Sequence, residues 1–138
     1  MIVVDANVMV YAVTDTGHTG RAREVLQSAS AIAVPRLWRA ESANALVTLA
    51  RAGYLDPRAA LSVYEQLLGA FVRSERDVDS MACARTALQE GLSAYDAEYV
   101  TLARNLGCRL VTNDGRLLSA VPDVTLSLAE AAEMKEVL

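Results

Sequence analysis

Short segments that are apolar throughout constrain the fold of this chain more than any other feature. Longer segments with the periodicity of amphipathic helices separate them. A strand without polar alternation is buried on both faces, which is typical of a parallel sheet covered by helices on each side. The predicted strands are Ile2–Val4, Ala31–Val34, Cys108–Thr112 and Val124–Leu128, and Phe71–Val78 is a further extended candidate.

Capping residues and helix breakers place the helices between these strands. Asp56 and Pro57 supply an N-cap followed by proline at the first helical position, and Gly53 follows an apolar periodic segment as C-terminal caps do. The predicted helices cover Val8–Val13, Arg21–Ser28, Leu37–Ala52, Pro57–Leu68, Ser80–Gln89 and Ser93–Gly107, with a short helix after Gly115 and a helical or frayed end over 130–138. Residues 14–20 and 113–115 are predicted turns.

Length and composition predict one α/β domain over residues 1–138. The chain is 53% hydrophobic, which suffices for a sizeable core, and it has no repeat, low-complexity tract or linker. The longest unbroken apolar run, Val8–Val13, is too short to span a bilayer. Without an evident secretory signal, we expect a cytoplasmic protein with no membrane segment, in which Cys83 and Cys108 are small buried thiols.

Charge and rare residue types exclude several classes of function. Thirteen basic and seventeen acidic residues give a formal net charge of -4, which argues against a broad, non-specific nucleic-acid binder. The single histidine, His18, excludes acid–base chemistry by two histidines of the chain and disfavours a histidine-rich metal site. Aromatic residues make up only 5%, which disfavours a base-stacking platform.

Four acidic residues occupy unusual places in this pattern. Asp5 and Asp114 follow predicted strands, where ligands of open α/β sheets bind, whereas Glu41 and Asp96 lie on helices in apolar surroundings. Each aspartate has a structural alternative: Asp5 as a helix cap, Asp114 as a turn or N-cap residue, and Asp96 in a capping box with Ser93. Glu41 is on an inward stripe, where an acid is costly unless it is paired or bound to a cation.

Convergence of these four acids at one edge of the sheet would define a cation site. Like carboxylates close together repel each other, so they stay ionised together only if a cation neutralises them. An all-oxygen site prefers a hard ion such as Mg²⁺ or Mn²⁺. Such an ion activates water and stabilises a phosphate under in-line attack.

The segments that carry the acids resemble PIN-domain ribonucleases, specifically the VapC-type toxins of VapBC toxin–antitoxin systems. The matching segments are VVDANV from Val3, ESANAL from Glu41, YDAEYVTLA from Tyr95 and LVTND from Leu110, and their order and spacing agree with the family over essentially the whole chain. The resemblance implies an α/β PIN-like fold with a mixed, mainly parallel sheet of about five strands flanked by helices on both sides. It also implies a Mg²⁺- or Mn²⁺-dependent endoribonuclease that leaves 5′-phosphate and 3′-hydroxyl ends.

The family's acidic cluster carries over by position to all four acids. The resemblance makes Asp5, Asp96 and Asp114 the first choice for direct metal contacts, and Glu41 binds the metal directly or through water. The four residues form the catalytic cluster. Removing them from the seventeen acids leaves thirteen, equal to the number of basic residues, so the whole negative excess belongs to the proposed site.

Five further polar residues are assigned supporting roles by the same resemblance. Asn7 and Thr112 match small polar positions that support the metal ligands or a metal-bound water. Arg116 is a candidate contact for the scissile phosphate or an antitoxin carboxylate. Arg36 and Arg39 are candidates for the RNA path. A solvated helix residue is the alternative for each arginine.

The resemblance also implies partners, and this sequence departs from the family pattern at two positions. It implies a homodimer and a cognate antitoxin whose segment blocks the acids. Gly115 stands where family members often have a larger polar residue, which would loosen the loop that carries Asp114. Glu98 is a possible fifth acid, although two helical positions separate it from the face of Asp96.

Two other functions remain open at this stage. One is a catalytically inactive PIN-like module that binds RNA or protein, and the presence of all four acids favours the enzyme over it. The other is a phosphotransferase of the haloacid-dehalogenase type, because Asp5 follows a strand as the nucleophile of that class does. That class needs a second aspartate where Asn7 stands and a suitably placed lysine, whereas the only lysine is Lys135 near the end of the chain.

Overall fold

Five short strands form one sheet in this protein. The computed structural model describes residues 1–138, with the exception of the Lys135 side chain. The strands are β1 (Ile2–Val4), β2 (Ile32–Pro35), β3 (Glu75–Arg76), β4 (Arg109–Thr112) and β5 (Thr125–Ser127). Their order is β3-β2-β1-β4-β5, and all four pairings are parallel. The sheet is thus parallel throughout, where the family resemblance implied a mixed one.

Helices cover both faces of the sheet. They are α1 (Ala6–Val13), α2 (Thr19–Ser28), α3 (Trp38–Arg51), α4 (Pro57–Phe71), α5 (Ser80–Glu90), α6 (Ala94–Leu106), α7 (Gly115–Ala120) and α8 (Leu128–Glu133), with 3₁₀ turns at 72–74 and 135–137. Within the described part of the chain, no helix is both long and apolar enough to cross a lipid bilayer.

Successive side chains of the central strands enter two separate cores. Ile2 and Val4 of β1 pack with α1 to α4 and α8, whereas Val3 packs with α6 and α7. Strand β4 divides in the same way, because Val111 joins the first core and Leu110 the second. Burial on both faces explains why β1 is apolar at every position and why β4 is apolar at Leu110 and Val111.

The strand order creates a switch point between β1 and β4. From β1 the chain moves outward to β2 and β3 on one side, then crosses to β4 and β5 on the other. The connections that leave the carboxyl ends of β1 and β4 therefore diverge, which opens a crevice between them. Crevices of this kind are where open α/β sheets bind ligands.

The predicted elements are confirmed in number and order, and the main correction concerns residues 71–78. Only Glu75–Arg76 is a strand in the segment predicted as extended. Phe71 instead ends α4, which extends past the predicted end at Leu68, because its buried ring packs edge-to-face on Trp38 at 6.0 Å. Aromatic packing between helices thus outweighs the local extended pattern.

The last predicted strand is also shorter than expected. Its pairing covers Thr125–Ser127, and Leu128 begins α8. Ser127 and Glu130 form a reciprocal capping box that starts this helix. The cap therefore competes successfully with continued strand pairing.

Burial of β4 predicts a large stability difference between two leucine substitutions. Leu110 is 0% exposed and Leu88 of α5 is 87% exposed. Leu110→Ala should lower the free energy of unfolding by about 2–5 kcal/mol because it leaves a cavity, whereas Leu88→Ala should change it by less than about 0.5 kcal/mol. Urea unfolding measures both, and equal losses would contradict the assignment of β4 to the centre of the sheet.

Candidate active site

Each of the four candidate acids lies at the N-terminal end of a helix. Asp5 directly precedes α1, Glu41 and Asp96 lie in the first turns of α3 and α6, and Asp114 directly precedes α7. Helices that follow parallel strands begin at the carboxyl edge of the sheet, and α6 begins there because it runs opposite to the strands. The positive ends of the helix dipoles therefore meet the acids.

Asp5 is anchored by hydrogen bonds from two side chains, Thr112 and Asn7. It is 9% exposed, and its side chain makes no cap hydrogen bond to α1. Thr112 Oγ1 donates to Asp5 Oδ2 at 2.7 Å, and Asn7 Nδ2 donates to the same oxygen at 3.2 Å. The structure thus brings both predicted supporting residues onto Asp5 and sets aside its interpretation as a simple helix cap.

Burial dominates the electrostatics of Asp5. The pKa of Asp5 is raised from 3.8 to about 6, mainly by loss of water and also by the carboxylates of Glu41 and Asp96, against the opposing hydrogen bonds of Thr112 and the Ala6 backbone. Three of the predicted acids are therefore close enough to repel each other.

Asp96 couples this group to Asp114. Burial raises the pKa of Asp96, and the charge of Asp114 adds to that effect, while Ser93 and Arg116 lower the pKa. The Asp114 N–H also donates to Thr112 Oγ1 at 3.1 Å, so the same hydroxyl contacts both Asp5 and the Asp114 backbone. All four acids thus belong to one cluster, with Asp96 near its centre.

Asp114 is both a member of the acidic cluster and the N-cap residue of α7. Its Oδ1 accepts from the Arg116 N–H at 2.9 Å and so caps α7. The Arg116 guanidinium lies 3.8 Å from Asp114 Oδ2 and is 86% exposed. Gly115 begins α7 without a positive φ, so residues other than glycine can adopt its backbone conformation.

Glu41 completes the cluster from the side of α3. Burial raises the pKa of Glu41, as do the charges of Asp96 and Glu98, while Tyr99 lowers it. Its Oε1 atom is buried without a hydrogen-bond partner. Glu98, expected on a face apart from Asp96, thus lies close to Glu41.

The residues present fit a hard divalent cation. Carboxylates that lie close together at buried and half-buried positions stay ionised together only beside positive charge, and the buried Glu41 Oε1 and Asn7 Oδ1 atoms both lack hydrogen-bond partners. As placed, no three His, Cys, Asp or Glu side chains among the described residues could hold an ion directly. Water-mediated contacts or side-chain rotation would complete the coordination, and Mg²⁺ commonly keeps several of its waters.

The structure separates the predicted arginines by role. Arg39 is paired with Glu75, which also accepts from Trp38 Nε1 at 2.9 Å, so Arg39 ties α3 to β3. Arg36 Nε lies 3.0 Å from Asp77 Oδ1 in an exposed pair. Arg36 also borders a depression of about 170 Å³ at the carboxyl ends of β2 and β3, shared with Arg76 and Glu98.

The site includes a tyrosine, Tyr99, that the sequence pattern did not mark as functional. Tyr99 is 1% exposed, and its hydroxyl has no hydrogen-bond partner. The charges of Glu41 and Asp5 contribute to raising its pKa, after burial. The available signal was its spacing, because Tyr99 follows Asp96 by three residues on one helix and so shares its face.

Fold and site together define a parallel α/β protein with an acidic site at its switch point. The PIN domain family model matches residues 2–123. A VapC ribonuclease of Mycobacterium bovis is 38% identical over 120 residues, 85% of this chain and 88% of the relative. The chain therefore belongs to the PIN domain family and groups with its VapC ribonucleases. This assignment sets aside the haloacid-dehalogenase alternative.

Two further comparisons extend this result. A protein of Pyrobaculum aerophilum named exonuclease VapC9 is 36% identical over 89 residues, 64% of this chain and 65% of the relative. The crystal structure of PAE2754 from the same organism superposes with a TM-score of 0.79 at 24% identity, over 99% of this chain and 90% of that one. The structural match supports the fold.

The raised pKa of Asp5 predicts that Asp5→Asn stabilises the metal-free protein. The pKa of Asp5 in the folded protein is about 6, above its ordinary value of 3.8. The stability linked to this group is therefore fully present below pH 3.8, where the carboxyl is protonated in both states, and it is lost as the pH rises through 6. At about pH 8 in EDTA, Asp5→Asn should be more stable than wild type by up to about 3 kcal/mol, with the gain shrinking toward about pH 4.

Urea unfolding across this pH range provides the measurement. Asp56→Asn is the matched control, because Asp56 caps α4 outside the cluster and asparagine caps helices equally well. The control should show no comparable gain. An Asp5→Asn protein that is less stable than wild type at the alkaline end would contradict a buried, repelled carboxylate.

Proposed function

We propose that this protein is a VapC-type endoribonuclease that hydrolyses RNA phosphodiester bonds with Mg²⁺ or Mn²⁺. The observation that carries the proposal is the coupling of Asp5, Glu41, Asp96 and Asp114 at the switch point of the sheet. Family membership supports the same activity, since the relatives include named VapC ribonucleases.

All four acids would contribute to binding the ion. Asp5, Asp96 and Asp114 would contact it directly, and Glu41 would bind it directly or through water. When bound, the ion activates a water and stabilises charge on the phosphate under attack. The water oxygen would form a bond to phosphorus as the P–O3′ bond breaks, and the 3′ oxygen would take up a proton. The products would be a 5′-phosphate and a 3′-hydroxyl, and no protein nucleophile is required.

Neighbouring side chains position this machinery. Asn7 and Thr112 orient Asp5 through their hydrogen bonds to Oδ2. Arg116 lies beside Asp96 and Asp114, and Arg36 lies at the β2 end, so the two arginines would contact phosphates on opposite sides of the scissile bond. Arg39 supports this path indirectly through its pair with Glu75.

The proposed biological setting is a type II toxin–antitoxin pair. In this setting the protein acts in the cytoplasm as a homodimer, and a cognate antitoxin covers the acidic cluster. The VapC names of the relatives support an antitoxin partner and an RNA substrate. An antitoxin segment that blocks the acids would also compete with the binding of the RNA phosphate to the metal ion.

Cleavage of a circular RNA in Mg²⁺ or Mn²⁺ tests the proposed reaction. A circular substrate has no ends, so it separates internal cleavage from exonuclease action, the activity in the name of one relative. Wild-type protein should linearise the RNA, and EDTA should abolish the reaction. Asp5→Asn and Asp96→Asn should reduce the rate at least about 100-fold, because each removes a proposed metal ligand.

The helix-capping variant Asp56→Asn is the control and should cleave at the wild-type rate. Folded protein that cuts equally well in EDTA would contradict the metal mechanism. Folded protein that binds RNA but never cuts a broad panel of structured RNAs would instead support the PIN-like binding module.

A further inference from the structure

Tyr99 places a buried hydroxyl at the border between the second core and the acidic cluster. Tyr99 belongs to α6, and its ring lies in the second core with Val3, Ala33 and Leu110. The side chain is 1% exposed, yet its hydroxyl has no hydrogen-bond partner. A buried hydroxyl without a partner costs about 1–3 kcal/mol, and phenylalanine would fill the same space without that cost.

The hydroxyl faces the acidic cluster. Glu41 Oε1 is likewise buried without a partner, and the two groups are close enough to shift each other's pKa. Burial, followed by the charges of Glu41 and Asp5, raises the pKa of Tyr99. A buried hydroxyl donor thus lies near a buried acceptor that has no other donor.

We propose that Tyr99 is the positioning residue for Glu41 in the metal centre. In this structure the two groups are close but not hydrogen-bonded. With an ion bound, the Tyr99 hydroxyl would donate to Oε1, which would orient the carboxylate and leave its other oxygen for the ion or a metal-bound water. This role rests on the proposed metal-dependent function. It accounts for the retention of a hydroxyl at a position where the fold itself needs only the ring.

Mn²⁺ binding to Tyr99→Phe, measured by isothermal titration calorimetry, tests this role. The variant keeps the ring and removes only the hydroxyl, and its Kd for Mn²⁺ should rise about tenfold. The EDTA-treated variant should melt no lower than wild type, because the removed hydroxyl lacks a partner there. Tyr11→Phe removes a hydroxyl from the half-buried Tyr11 of α1 and should bind Mn²⁺ as wild type does.

A double-mutant cycle separates positioning from a general structural effect. In a Glu41→Ala background, Tyr99→Phe should change the Kd by less than about twofold, because the carboxylate that it orients is gone. An equal loss in both backgrounds would overturn the proposal, as would an unchanged Kd in Tyr99→Phe alone. A clear drop in the melting temperature of the metal-free variant would assign the hydroxyl to the fold and also overturn it.

The wild-type protein distinguishes failure of this role from failure of the proposed function. If wild type binds Mn²⁺ and cleaves RNA while Tyr99→Phe matches it in affinity, only the role of Tyr99 is wrong. If wild type neither binds Mn²⁺ nor cleaves RNA, the metal centre is wrong, and the positioning role is wrong with it.

Discussion

The hydrogen bond from Thr112 Oγ1 to Asp5 Oδ2 joins the two central strands at the point where their connections diverge. The same hydroxyl accepts from the Asp114 N–H, so one small side chain sets the relative positions of two acids that are 109 residues apart in the chain. Its place depends on the parallel pairing of β1 with β4, which in turn depends on strands that are apolar on both faces. Core packing and site geometry are therefore parts of one arrangement.

The negative charge of the four acids is not balanced by the groups around them. A helix N-terminus stabilises a nearby carboxylate by about 0.3–1 kcal/mol, and four such termini meet the acids here. The pKa of Asp5 still rises to about 6, which corresponds to about 3 kcal/mol against its charged form. Helix dipoles and hydrogen bonds are thus too weak to balance burial and mutual repulsion. A divalent cation supplies charge of the required sign and size.

The sequence predicted most of this architecture because its strong signals are local. Apolar strands and helix caps are visible within a few residues, and the acids at strand ends follow from the parallel topology. The bounds of the two-residue β3 were not predicted, since its position depends on contacts of Glu75 with Arg39 and Trp38 from a distant helix. The pair of Arg39 with Glu75 was not predicted for the same reason. The place of Tyr99 in the site was not predicted, because only the tertiary structure brings its hydroxyl near Glu41.

The location of a bound ion tests the central claim most directly. Crystals of the wild-type protein grown with Mn²⁺ give an anomalous difference map in which manganese is identified by its own scattering. We predict a peak between Asp5, Asp96 and Asp114, within about 2–2.5 Å of at least one carboxylate oxygen and with Glu41 in direct or water-mediated contact. A map with no peak at this edge of the sheet at saturating Mn²⁺, or with manganese bound only elsewhere, would contradict it.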